Sequence, residues 1–324
     1  MYSSPSPKDS GEPDESPLVL LISYDGTDFH GFAYQDGLKT VEGTLRHALS
    51  TLLQCSVTKT VCAGRTDAGV HAWGQVVHVD VKSPIPLDIL QSHLNSMLKP
   101  HIQVRSLARG PVGFHARYSA DARLYRYFML NSLVPNPFLS RFLWHIPTPL
   151  DLTAMQMSTY PLIGEHDFSA FCRKAKSQKA VSKPTDEFGV KSDSGIAIES
   201  GTEYGKLTPE PVDKEQIKRR VIDIKLYQLD NGIFGSGNEV EPLFRYLVFE
   251  IKANAFCHQM VRSIVGTVVD IGRGKIKAGD MMSILNLRNR SLAGCVAPPN
   301  GLFLWDVIYP RNLQPKWEHT TRGP

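Results

Sequence analysis

Between Pro17 and Ala108 apolar residues recur with strand or helix spacing in six successive stretches, and their order leaves few folds open. "PLVLLISYD" reads as a strand. "TVEGTLRHALSTLLQ" reads as a helix, with Thr40 as N-cap and Val41, Leu45, Leu49 and Leu52 along one face. A strand over Val57 to Ala63, the strand "WGQVVHVDV", a helix starting near Pro86 and the strand "IQVRSLA" complete the set. The order βαββαβ makes an antiparallel sheet with helices on one face.

The pattern returns more loosely in "RLYRYFML", helical material around Leu152 to Ile163, "VIDIKLYQL", "LFRYLVFEIKA", the helix "FCHQMVRSIVGTVVDIG" and "GLFLWDVIY". The chain is therefore expected to be a duplicated α+β protein, with domains over 18–110 and 111–311 and a C-terminal tail over 312–324. Many RNA-binding modules share this topology, but the aromatic sheet motif of a typical RNA-recognition module is absent.

Composition narrows the class. The chain has 324 residues, 42% of them hydrophobic, enough for substantial cores. No run reaches the roughly 18 apolar residues of a membrane span; "MVRSIVGTVVDIG" carries Arg262 and Asp270. Residues 1–17, rich in Ser, Pro and acids, read as a disordered acidic tail rather than a targeting signal. The five cysteines are scattered without a CxxC pair, which points to reduced, buried thiols and a cytoplasmic protein. A net charge of +4 allows a nucleic-acid partner without demanding one.

Within the second set an insertion over about 175–215 shifts composition abruptly. The run "RKAKSQKAVSK" is basic, suited to a solvated loop or to phosphate contacts, and the acidic Pro, Gly and Ser stretch after it reads as a flexible surface excursion.

Three clusters could carry chemistry. In "CAGRTDAGVHAWGQVVHVD", Asp67 is either a turn residue capping backbone groups or a carboxylate held ready as nucleophile or general base. Gly64 and Gly69 would let backbone approach a ligand, and Arg65 supplies a fork for phosphate or base. In "FHARYSADARLYRYFML", Arg117, Arg123 and Arg126 alternate with Tyr118, Tyr125 and Tyr127, either as a half-buried strand with surface arginines or as a face offering cations and a ring to a base. In "ANAFCHQMVRSIVGTVVDIG", Met260, Ile264, Val268 and Ile271 are core positions, whereas His258 and Arg262 share another face. Arg262 beside a carboxylate would favour its ionised form. No Cys/His cluster supports a metal site.

"GRTDAGVHA", "FHARYSADARLYRY", "GEHDFSAF", "ANAFCHQMVRSIVG" and "APPNGLFLWDVIYP", with "YDGTDFHGF" before them, strongly resemble the TruA-type tRNA pseudouridine synthases from Leu18 to Pro310. The resemblance implies the pseudouridine synthase fold, two ferredoxin-like halves with antiparallel sheets flanking a central basic cleft, acting as a homodimer on tRNA without metal or cofactor. It places the family's catalytic aspartate on Asp67, its base-flipping arginine on Arg65, its active-site tyrosine on Tyr125, its aspartate-pairing arginine on Arg262 and an apolar pocket residue on Leu302. Phe32 stands where Trp is usual, Leu124 where a second basic residue is usual, and most members lack the insertion after Cys172. The implied reaction isomerises uridine to pseudouridine, at tRNA positions 38, 39 and 40 in bacterial relatives. A catalytically inactive RNA-binding or RNA-folding factor using the same cleft is the alternative.

Overall fold

The computed structural model describes residues 16–173, 218–229 and 244–317. The acidic tail up to residue 15, nearly all of the insertion and the last seven residues lie outside the described residues, and with them the expectations made for those segments.

The first half follows the expected order: β1 (Leu18–Tyr24), α1 (Val41–Leu53), β2 (Val61–Cys62), β3 (His71–Val79), α2 (Leu87–Leu98) and β4 (Ile102–Arg109). Thr40 caps α1, its hydroxyl accepting the Gly43 N–H at 3.2 Å. Val41, Leu45 and Leu49 are buried from the predicted face, with Leu53 beyond them. The strand expected over Val57 to Ala63 shrinks to Val61–Cys62, which pairs only with the far end of β3.

The second half comprises β5 (Ala122–Ser132), β6 (Trp144–Ile146), α3 (Leu152–Thr159), β7 (Gly164–Asp167), β8 (Lys218–Leu229), β9 (Phe244–Ala253), α4 (Met260–Gly272), α5 (Asp280–Leu287) and β10 (Leu302–Ile308). β1 runs antiparallel to both β3 and β4. In the other block β9 lies antiparallel between β5 and β8, and β7 extends β8. The strand nearest the chain's end joins the blocks, because β10 pairs antiparallel with β5 and parallel with β3, through Phe303 with His71 and Leu304 with Ala72. One sheet results, in the order β4-β1-β3-β10-β5-β9-β8-β7.

One apolar core extends beneath this sheet, from Leu45 and Leu90 of the first two helices to Ile264 and Val268 of α4. In α4 every residue is buried except Arg262, so this helix offers the protein surface a single side chain. It also starts later than its apolar pattern suggested. Gln259 adopts a left-handed backbone (φ 62°), and the helix begins at Met260. His258 therefore lies ahead of the helix, not one turn below Arg262 upon it.

The expectation of five buried, reduced thiols is corrected. Cys172 and Cys257, 85 positions apart, form a disulfide with their Cα atoms 5.8 Å apart, a spacing that chain topology sets and sequence distance hides. Of the rest only Cys62 is buried; Cys55 and Cys295 are exposed. A thiol-specific colorimetric reagent applied to unfolded, unreduced protein should count three thiols per chain, and five after reduction with a dithiol. Five before reduction would contradict the bond.

Candidate active site

The turn from Gly64 to Val70 is closed without help from the Asp67 side chain. Gln75 of β3 does that work, its amide donating to the Gly64 carbonyl at 2.6 Å and accepting the Gly64 N–H at 3.3 Å. Thr66 shares a hydrogen bond of 2.8 Å with the buried hydroxyl of Tyr24. The turn's backbone is held from outside by the segment after β1, since Phe32 N–H donates to the Thr66 carbonyl at 3.1 Å and Gly69 N–H to the Phe29 carbonyl at 3.4 Å. Gly69 has a φ of 75°, open to glycine at little cost. A methyl group at Gly26 would collide with the Val70 carbonyl, so the cradle segment needs glycine there.

His71, the first residue of β3 after the turn, ties this cradle down. Its Nδ1 accepts the Gly26 N–H at 3.0 Å and its Nε2–H donates to the Arg141 carbonyl at 3.0 Å. Its ring stacks on Phe303 with centroids 4.6 Å apart. Burial pushes its pKa below the ordinary histidine value, in keeping with a neutral ring bonded through both nitrogens. The motif "YDGTDFHGF" thus serves as the mould for the Gly64–Val70 turn, a purpose that sequence spacing did not reveal.

Freed from turn closure, the Asp67 carboxylate points across to the second half. Arg262 donates from Nη1 to Oδ2 at 3.2 Å, and His258 Nε2 stands 3.3 Å from Oδ1. Among the described residues this carboxylate accepts no backbone N–H, which removes the turn-capping reading. Arg262 is itself aimed, because its Nε donates to the Ala297 carbonyl at 2.8 Å while Ala297 N–H returns a bond to the Arg262 carbonyl at 3.0 Å. Side-chain exposure grades outward: 13% for Arg262, 24% for Asp67 and 49% for His258.

These groups line a cleft of about 1010 Å³ walled by the 59–67 segment, the start of β5 and the stretch leading into α4. Its floor is apolar. Tyr125 and Leu302 are both buried, and the Tyr125 ring meets Phe256 edge-on at 4.9 Å. Burial, with the Asp67 charge adding to it, drives the Tyr125 phenol far above its ordinary range and keeps it protonated. The rim is basic, with Lys59, Arg65, Arg117, Arg123, Arg219 and Arg262 set against Glu42, Asp67 and Asp121. Arg65 is exposed and makes no hydrogen bond or ion pair among the described residues, leaving its guanidinium available.

The alternating arginines of β5 sort differently from the expectation. Arg123 faces the same way as Tyr125 but is buried, donating to the carbonyls of Ala63, Arg117, Ala120 and Asn254. It clamps three cleft-lining segments together and offers no cation to a ligand. Arg126 faces away from the cleft, bonded to Glu250 at 2.7 Å and lying over Trp305 at 4.2 Å. The cleft brings together Asp67, Arg65, Tyr125, Arg262 and Leu302 and adds His258 and Phe256, whose approach depended on a non-helical stretch before α4.

A family model described as tRNA pseudouridine synthase matches residues 20–119 and 159–310. A tRNA pseudouridine synthase A from Halalkalibacterium halodurans is 35% identical over 286 residues, covering 88% of this chain and 89% of that protein. Its namesake from Brevibacillus brevis is 34% identical over 292 residues, covering 90% and 99%. That from Frankia casuarinae is 33% identical over 296 residues, covering 90% and 89%. Asp67 lies in the first matched block and Arg262 in the second, so the match takes in both partners of the ion pair that spans the cleft, and the chain belongs to the tRNA pseudouridine synthase family.

Proposed function

We propose that this chain isomerises uridine to pseudouridine in tRNA, at positions 38, 39 and 40 of the anticodon stem-loop, with Asp67 as the reacting carboxylate. The observation that carries the reading is a carboxylate excused from turn closure and held by an arginine at 3.2 Å in a basic cleft. The reaction breaks the glycosidic bond, turns the freed uracil and joins C5 to C1′ with loss of the C5 proton, so it needs no redox partner. Asp67 supplies the nucleophile or base for that exchange. The target nucleotide leaves the stack to reach it, and Arg65, exposed beside the turn, fills the vacated space. Phosphates along the cleft meet the basic rim. Leu302 and the ring of Tyr125 give the uracil an apolar bed.

A cytoplasmic homodimer is part of the same reading. Support for the dimer comes from Trp73, a large exposed aromatic side chain stacked on Trp305 on the sheet face away from the cleft. Sedimentation equilibrium at one chain mass would remove the dimer. Among the described residues no helix is long and apolar enough to cross a membrane.

The direct test supplies tRNA carrying tritium at uridine C5. The enzyme releases tritium to water; an inactive binding factor holds the tRNA and releases none. Mapping pseudouridine in RNA from a deletion strain should show losses at positions 38 to 40, and unchanged levels there would overturn the assigned positions.

Tyr125 gives a second prediction. Because burial raises its phenol far above the ordinary range, the hydroxyl is ill suited to act as a base, and the ring is the part offered to a stacked uracil. Tyr125→Phe should keep kcat within a few fold, whereas Tyr125→Ala should lose about 10- to 100-fold, the worth of a base–aromatic stack. A Phe variant as slow as the Ala variant would assign a proton-transfer role to the hydroxyl.

A further inference from the structure

We infer that His258 is a positioning residue for the reaction: it holds the Oδ1 edge of the Asp67 carboxylate while Arg262 holds the Oδ2 edge. This rests on the isomerase reading of the same site. A carboxylate gripped at one oxygen can still swing about its Cβ–Cγ bond; two grips from different directions fix its plane and leave its remaining lone pairs aimed into the cleft. His258 Nε2 is 3.3 Å from Oδ1, Arg262 Nη1 is 3.2 Å from Oδ2, and no other described side chain contacts either oxygen by hydrogen bond or ion pair.

The backbone around His258 is built to keep it there. Its carbonyl accepts the Arg173 N–H at 3.1 Å, and its neighbour Cys257 is bonded to Cys172. On the other side, the left-handed Gln259 turns the chain sharply into α4, separating His258 from the helix that carries Arg262. Two anchors and a bend thus fix a side chain that is itself half exposed. Its exposure makes a purely packing role a poor explanation, and also means that replacing it should leave the fold intact.

The Nε2–H can be offered by neutral or protonated imidazole, so positioning asks for a donor and not for a titrating group. Gln is the informative substitution, since its amide nitrogen reaches about as far as Nε2. His258→Ala and His258→Gln would be compared with the wild type for tritium release from C5-labelled tRNA under single-turnover and steady-state conditions, with melting temperature as the control for folding. The inference expects His258→Ala to lose about 10- to 100-fold in kcat with KM within a few fold, the size of a misaligned reacting group. It expects His258→Gln to recover most of that loss. A wild-type rate in the Ala variant would overturn the inference, as would an Ala variant that changes KM alone, which would make His258 an RNA contact. Equal loss in Ala and Gln variants would overturn it in favour of proton transfer by the imidazole. If the wild type itself released no tritium, the isomerase reading would fall, a result separable from every outcome among the variants.

Discussion

The ion pair between Asp67 and Arg262 joins residues 195 positions apart, and everything that distinguishes this site depends on bringing them within 3.2 Å. Asp67 rides on a turn of the first block of strands, Arg262 on the first turn of the helix that covers the second. β10 brings the two together by pairing with β3 on one edge and β5 on the other. Its ladder with β3 is only two residues long, so side chains reinforce the junction. The His71 ring stacks on Phe303, and the Tyr127 hydroxyl donates to the Pro298 carbonyl at 2.8 Å. The same strand places Leu302 in the cleft wall and sets Leu304 opposite Tyr125.

Charge in the cleft is divided by task. Arg123, although the most buried of the rim cations, is spent on backbone carbonyls from three segments; burial pushes its pKa below the ordinary arginine value, and those four acceptors replace the water it lost. Arg262 is committed to Asp67 and Ala297. Arg65 remains uncommitted among the described residues, which suits the role proposed for it of entering a flipped nucleotide's place. A cleft organised this way sets the cations that hold its shape apart from the one left exposed.

Much of this was legible in the sequence because it rests on local periodicity and on side chains that are scarce in turns. Thr40 capped α1 as its position predicted, β1 was a buried strand, and Asp67 between glycines marked the turn as more than a connection. The resemblance of several motifs then pointed to Arg65, Tyr125, Arg262 and Leu302, which the structure brings into one cleft. What stayed hidden depended on contacts between distant segments. Gln75 closes the turn from β3, a role any polar residue in that strand could have held. Period-2 alternation put Arg123 and Tyr125 on one face but could not say that four carbonyls would bury the arginine. His258 appeared to lie on the helix because apolar spacing continues through Phe256, and only the left-handed Gln259 breaks it. The pairing of Cys172 with Cys257 follows from the loop before α4 folding back on the segment after β7.

The central claim is that Asp67 performs chemistry and does not support the turn. Asp67→Asn tests it most directly, because Asn is nearly isosteric and the turn's closing bonds come from Gln75, Thr66 and the cradle, not from this carboxylate. Single-turnover isomerisation and filter binding would be measured on the same variant. The prediction is a loss of many orders of magnitude in rate, since an amide is a poor nucleophile and a poor base, with tRNA affinity within a few fold because phosphate contacts supply most of the binding. Turnover at the wild-type rate in the Asn variant would contradict it.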